Sequence, residues 1–238
     1  MKYNNLIFDL DDTLIECSAI YNSKKDKFAE FQSNKTGLSK EFCLNLLNKI
    51  DVAFTELPDG FDRHRFPRSF ASTSATLDII QGRKPNQFDM DLSYHIADSV
   101  FREYYPSYEG VIEFLLRCKN DNYKMFLLTK GDDEIQKNKI KSNRLDEFFK
   151  PKQIHIVKNK SADVLQKILK KHKLNPAETI YVGDSLRDDV GPANECNVTS
   201  VLVNTNSKWD YENTNFIPTY TINNVIDLST ILGNIRIF

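Results

Sequence analysis

Two carboxylates two residues apart, Asp9 and Asp11, follow the apolar run Leu6-Ile7-Phe8. On an extended backbone, residues two apart share a face, so this pair can converge on one point. The apolar run reads as a buried strand, which puts both acids where it ends. In open α/β sheets the crevice beyond the carboxyl ends of the strands is where ligands bind. Two carboxylates there repel each other, and a divalent cation is the simplest group that offsets them. The plainer alternative is a solvated turn whose acids merely cap the next segment of chain. A calcium loop is set aside, because its sixth position needs glycine and here holds Leu14.

Residues just after other strand-like runs have matching chemistry. Tyr123 to Thr129 reads as a buried strand that delivers Thr129-Lys130-Gly131, a hydroxyl followed by backbone N–H groups opening a helix. That combination can cradle a phosphate, although Thr129 can equally serve as a helix N-cap. Gln153 to Val157 is a short strand followed by Lys158-Asn159-Lys160-Ser161. A lysine fixed there can neutralise a phosphoryl group or an attacking carboxylate. Thr179 to Val182 leads into Gly183-Asp184-Ser185-Leu186-Arg187-Asp188-Asp189. A carboxylate directly behind a buried strand is costly unless paired, so Asp184 calls for a cation.

These positions need a parallel sheet to bring them together, and the rhythm from Pro106 onward supplies one. Strand and helix patterns alternate there, which implies βαβ units. Between the first strand and about residue 105 the pattern is helical instead. Phe28 and Phe31, then Cys43, Leu46, Leu47, Ile50 and Phe54, recur at helical spacing, and Pro58-Asp59-Gly60 marks a turn. Arg68 to Ile80 and Leu92 to Tyr104 read as two more helices. The expected architecture is α/β: a Rossmann-like parallel-sheet core of residues 1–16 and 105–238. A small all-α cap, residues 17–104, is inserted after the first strand, at the edge of the sheet where a lid belongs.

Bulk properties narrow the partners. A formal net charge of −1 gives no electrostatic case for nucleic acid. The basic clusters Lys137 to Lys141 and Lys167 to Lys173 read as solvated helix faces. Cys17, Cys43, Cys118 and Cys196 form no CxxC pair, which argues against zinc and fits a reducing compartment. No signal peptide or membrane span is legible, and a cytoplasmic protein is expected.

The set Asp9-Leu10-Asp11-Asp12-Thr13, Leu127-Leu128-Thr129-Lys130-Gly131, Lys160 and Gly183-Asp184 through Asp189 resembles the haloacid dehalogenase-like (HAD) hydrolase superfamily. It is similar to the branch with a helical cap inserted soon after the first motif. Tyr105 to Gly110 resembles the family's return into the core. The resemblance implies Asp9 as nucleophile and Asp11 as general acid/base. It implies Thr129, the Lys130 amide and Gly131 at the phosphate, and a lysine balancing the charge. Asp9, the main-chain carbonyl of Asp11 and Asp184 would bind Mg²⁺, with Asp189 supporting the metal shell. The family's lysine is often followed by proline; here Lys160 precedes serine and Lys158 lies two residues away. Lys160 is favoured because it opens the helix carrying Val164 to Leu169.

The activity so implied is Mg²⁺-dependent hydrolysis of a small phosphorylated metabolite through an aspartyl-phosphate. The acid at position 11 decides against carbon–halogen cleavage, since the family's dehalogenases lack it. A sugar-phosphate mutase is the alternative within the family, and a catalytically silent binding protein the alternative outside it. Substrate choice falls to the cap, where Arg63, His64, Arg65, Phe66 and Arg68 are densest. The arginines could grip a second anionic group and Phe66 could stack on a ring. Otherwise these residues pin the cap or face solvent.

Overall fold

The structure is a computed structural model that describes residues 3–57, 62–205 and 214–233. The polar run from Ser207 to Asn215 reads in the sequence as a loop; most of it, like the turn expected at Pro58-Asp59-Gly60, lies outside the described residues. In chain order, strand β1 (Asn5–Phe8) precedes helices α1 (Ser18–Thr36), α2 (Lys40–Thr55), α3 (Arg65–Ile80) and α4 (Gln87–Asp98). Then come α5 (Val111–Asn120), β2 (Lys124–Lys130), α6 (Asp133–Ser142), β3 (Ile154–Val157), α7 (Ala162–His172) and β4 (Thr179–Gly183). The last elements are α8 (Gly191–Glu195), β5 (Thr199–Val203), β6 (Tyr220–Ile222) and α9 (Leu228–Leu232). The chain divides into two compact units, Met1–Glu16 with Tyr105–Phe238, and Cys17–Tyr104.

The first unit is the expected parallel sheet, with strand order β3-β2-β1-β4-β5-β6 and every pairing parallel. All four residues of β1 are buried, as a central strand covered on both faces requires. Ile7 joins Phe126, Leu128, Tyr181, Leu165 and Ile168 in one core cluster. Phe8, pointing the other way, meets the edges of Phe114 and Phe149 at 6.3 Å between ring centroids. Register then aims the site. Phe8 lies opposite Leu127 on β2 and Val182 on β4, so Asp9, Thr129 and Asp184 all leave the sheet at the same edge.

The chain leaves this unit and returns to it at one place. Ile15 forms an antiparallel bridge with Ser107, and the Glu16 N–H donates to the Pro106 carbonyl at 2.8 Å. Tyr108 N–H donates to the Leu14 carbonyl at 3.1 Å.

The second unit contains four α-helices among the described residues. Phe28 and Phe70 meet edge to face, 4.9 Å between centroids, in its core, which also holds the fully buried Cys43, Leu47 and Leu77. Its boundaries depart from the sequence expectation. The helix expected from Arg68 begins at Arg65, because the Asp62 carboxylate accepts from the N–H groups of His64 and Arg65. The helix expected over Leu92 to Tyr104 starts earlier, at Gln87, because Asn86 caps it. It ends at Asp98 in a 3-10 turn, Ser99–Arg102. In the first unit, the sequence reads Arg187 to Glu195 as one helix, but the segment opens as a π-helical turn, Leu186–Val190, ahead of α8. Both Asp189 and Val190 donate to the Ser185 carbonyl, which widens that turn. No helix among the described residues is long and apolar enough to cross a membrane.

Candidate active site

Asp9 is the first residue past β1 and is 4% exposed. Lys160, next to the N-cap Ser161 of α7, donates to Asp9 Oδ1 at 2.5 Å and to Asp189 Oδ1 at 2.7 Å. Lys158 is exposed. Of the two lysines, Lys160 is the one beside Asp9. Asp189 also accepts from the Tyr181 hydroxyl at 2.6 Å and from the Ser185 amide at 3.1 Å. Glycine at 183 makes this possible, since a Cβ there would lie 2.1 Å from Asp189 Oδ2.

Carboxylate oxygens of Asp9, Asp184 and Asp189 all lie within 4.8 Å of one another. Three acids thus gather around the Lys160 ammonium. Burial pushes the Asp9 carboxyl up to about 8; Lys160 opposes that, and Asp189 and Asp11 add to it. Burial, then the charges of Asp9 and Asp189, hold Asp184 well above the usual carboxylate range. Burial alone would lower Lys160, but Asp189 and Asp9 more than reverse it and keep the amine charged. The pocket gathers more carboxyl groups than basic ones, all with hard oxygen donors, and a divalent cation such as Mg²⁺ fits that donor set and would favour their ionised forms. Asp189 spends its oxygens on Lys160, Tyr181 and Ser185, whereas Asp184 is held by no comparable set of donors among the described residues.

Asp11 does not share Asp9's partners. Its Oδ2 accepts from Gln136 Nε2 at 3.0 Å and its Oδ1 from Lys139 Nζ at 2.9 Å, both from α6. Gln136 also reaches Thr129 Oγ1, at 2.5 Å, so one amide touches the hydroxyl at the end of β2 and the acid beyond β1. Thr129 is not the N-cap of α6; Asp132 is, accepting from the amides of Glu134 and Ile135. Those amides are thereby spent, and the Gly131 N–H donates to the Val157 carbonyl at 3.0 Å. Of the residues expected to cradle a phosphate, Thr129, Lys130 and Gly131, the last has its N–H engaged with the neighbouring strand. The Lys130 side chain forms a buried ion pair with Asp188.

Two of the cap residues expected to select substrate are spent within their own unit. Arg65 is 8% exposed and pairs with Asp51 at 2.5 Å, donating also to the Asp51 carbonyl. Phe66 is 3% exposed and packs on Tyr21 and Phe70 at 4.9 and 4.7 Å between centroids. Neither is available to grip a ligand. Arg63 is exposed and lies 5.8 Å over the Phe101 ring.

Conversely, sequence reasoning passed over Gln136 and Lys139. The Lys137 to Lys141 cluster is not wholly a solvated face, since Lys139 is 5% exposed. The available signal was spacing: Gln136, Lys139, Ile140 and Asn143 fall at i, i+3, i+4 and i+7, and all four are buried.

The chain is similar to several known proteins. The chain is 28% identical over 201 residues to a glyceraldehyde 3-phosphate phosphatase of Pyrococcus furiosus, covering 82% of this chain and 78% of that protein. It is 25% identical over 241 residues to the pyrophosphatase PpaX of Bacillus mycoides, covering 99% of this chain and 100% of that one. Its fold matches that of the putative HAD hydrolase YfnB from Bacillus subtilis, solved bound to magnesium. That match has a TM-score of 0.68 at 17% identity and covers 98% of this chain and 100% of the other. The family model of haloacid dehalogenase-like hydrolases matches residues 6–203. The chain belongs to the haloacid dehalogenase-like hydrolases.

Proposed function

We propose that this hydrolase is a Mg²⁺-dependent phosphatase that acts on a small phosphorylated metabolite through an aspartyl-phosphate on Asp9. The observation that carries this reading is the excess of acid over base around Asp9, with a second carboxylate, Asp11, held apart on different partners. The two curated relatives are named for phosphatase and pyrophosphatase activity, and a structural neighbour binds magnesium. Their differing names leave the substrate at the level of a class.

A carboxylate approaching a phosphate dianion meets like charge. At ~4 Å and an effective dielectric of ~20, each such pair costs about 4 kcal/mol. Asp9, the Asp11 main-chain carbonyl and Asp184 would hold a cation, which would supply charge compensation, with Asp189 supporting that shell. Lys160 adds its own positive charge directly at Asp9 Oδ1. Asp9 then forms a bond to phosphorus as the bond to the leaving oxygen breaks, and that oxygen takes the electron pair. Asp11 gives the leaving oxygen a proton, and later takes one from the water that attacks the aspartyl-phosphate. The Thr129 hydroxyl and the Lys130 amide hold the phosphoryl oxygens in this scheme. The helical unit fills the role of the family's cap. The four cysteines are free and buried, in keeping with a reducing, cytoplasmic setting.

The test is direct. The wild-type protein should hydrolyse p-nitrophenyl phosphate with Mg²⁺, while Asp9→Asn loses at least ~10³-fold in kcat, as expected when a nucleophile is removed. Equal turnover by both proteins, or none with any divalent metal, would reject the assignment. Transfer of the phosphoryl group to a sugar without release of inorganic phosphate would point to the mutase reading instead.

A further inference from the structure

Helix α6 presents two polar side chains to Asp11, and neither belongs to the motifs that carry the family resemblance. Lys139 Nζ lies 2.9 Å from Asp11 Oδ1, and Gln136 Nε2 lies 3.0 Å from Asp11 Oδ2. Each carboxylate oxygen therefore has its own donor, which fixes the plane of the group as well as its position. A carboxylate offers about four acceptor sites, so one site on each oxygen stays open for proton exchange.

The two donors are themselves held. Both side chains are at least nine-tenths buried. Gln136 is tied to Thr129 Oγ1 at 2.5 Å. Lys139 Nζ sits 4.5 Å from the centroid of the Tyr105 ring, a cation–π geometry. The turn of α6 that carries Lys139 is fastened to the same segment: Asn143 Nδ2 donates to the carbonyls of Lys139 and Tyr105, and Asn143 Oδ1 accepts from Ser107. Asp11 lies beyond the end of β1, where its backbone makes an isolated bridge with Ile15 and its side chain takes its hold from α6.

We infer that Lys139 and Gln136 are positioning residues that set the Asp11 carboxylate against the leaving oxygen of the substrate. The inference rests on the phosphatase reading above and deepens it. It assigns the quality of proton delivery to α6 rather than to the loop carrying Asp9 and Asp11. Misplacing a reacting group by about 1 Å costs on the order of 10²-fold. The loss falls where protonation matters. An alkoxide leaving group needs the proton as its P–O bond breaks, whereas a nitrophenolate departs readily without it.

The experiment measures kcat over a series of phosphate monoesters, from p-nitrophenyl phosphate through phenyl phosphate to a simple alkyl phosphate. Lys139→Met keeps the length of the stem and removes the ammonium. It should lose about 10- to 100-fold on the alkyl ester and less than about 3-fold on the nitrophenyl ester. Lys139→Arg should restore most of the alkyl rate. Gln136→Met should steepen the series in the same sense and also raise KM for every ester, because Thr129 loses its partner. If Lys139→Met fails to fold, Gln136→Met decides the matter by the same slope. Equal fractional loss on all esters, or no loss, overturns the positioning role while leaving the phosphatase standing. A wild-type protein that turns over none of the series overturns both.

Discussion

Both units bury charge, and they treat it in opposite ways. In the helical unit the buried acids Asp51 and Asp78 are each matched. Asp51 takes Arg65 at 2.5 Å and Lys25 at 3.6 Å. Asp78 takes Lys35 at 2.9 Å and Arg83 at 3.2 Å. Burial would raise the Asp78 carboxyl, but Lys35, the Asn86 amide and Arg83 overcome that and hold it below its ordinary value. In the α/β unit, Asp9, Asp184 and Asp189 converge around Lys160, and the carboxyls of Asp9 and Asp184 are driven up. Matched charge of this kind holds a fold in one arrangement, whereas unmatched charge is retained for chemistry.

The sharpest way to break this contrast is to make one substitution in both places. Asp51→Asn should destabilise the protein by about 3–5 kcal/mol, because it strands Arg65 without its counter-charge. Asp9→Asn should leave Tm unchanged or raise it in metal-free buffer, since it relieves repulsion, while activity disappears. Denaturant and thermal melts of both variants check this, and similar destabilisation in the two would erase the distinction.

A smaller effect should come from adding the missing charge. Mg²⁺ at a hundredfold above its Kd should stabilise the wild type by about 2.7 kcal/mol, seen as a rise in Tm of roughly 5–10 °C for a chain of this size. Asp184→Asn should abolish that rise, and Asp78→Asn, in the helical unit, should preserve it. A shift that survives Asp184→Asn places the cation elsewhere.

The smallest expected effect concerns a third treatment of charge, its avoidance. His155 on β3 and His172 on α7 approach within 3.0 Å, Nε2 to Nε2. Burial, then the neighbouring charges of His172 and Lys171, lower His155 from 6.5 to about 4. The folded state therefore resists a proton that the unfolded state accepts. Stability present above about pH 6.5 is lost as pH falls from there toward about 4. His155→Phe should flatten that part of the stability–pH curve, as tracked by thermal melts monitored by circular dichroism. An unchanged slope would show that His155 does not carry it.

Much of the site is legible in the sequence, and the reasons are specific. Leu6-Ile7-Phe8 announces a buried strand, and the parallel order puts its end beside those of β2 and β4, so Asp9, Thr129 and Asp184 can be grouped without coordinates. Lys160 is less legible, since burial is what distinguishes it from Lys158. The features that stay hidden depend on partners distant in the chain. Arg65 reads as a free binding arginine until Asp51, on another helix, is found to hold it. Lys139 sits among surface lysines on a polar helix, where only the buried spacing of its neighbours gives it away. Gly131 has the composition of a phosphate loop, but its N–H is drawn into the β2–β3 edge by Val157.

The way the helical unit is attached bears on how such a chain changes over time. That unit begins after Glu16 and ends before Tyr105, and a hydrogen bond from Glu16 to the Pro106 carbonyl nearly closes the gap. The sheet therefore sees the whole insertion as if it were a tight turn. Closure entropy grows only with the logarithm of loop length, so lengthening or shortening whatever hangs from that point adds little strain. The helical unit is in this sense a cassette, hung from the sheet-bearing unit at a single, nearly closed point.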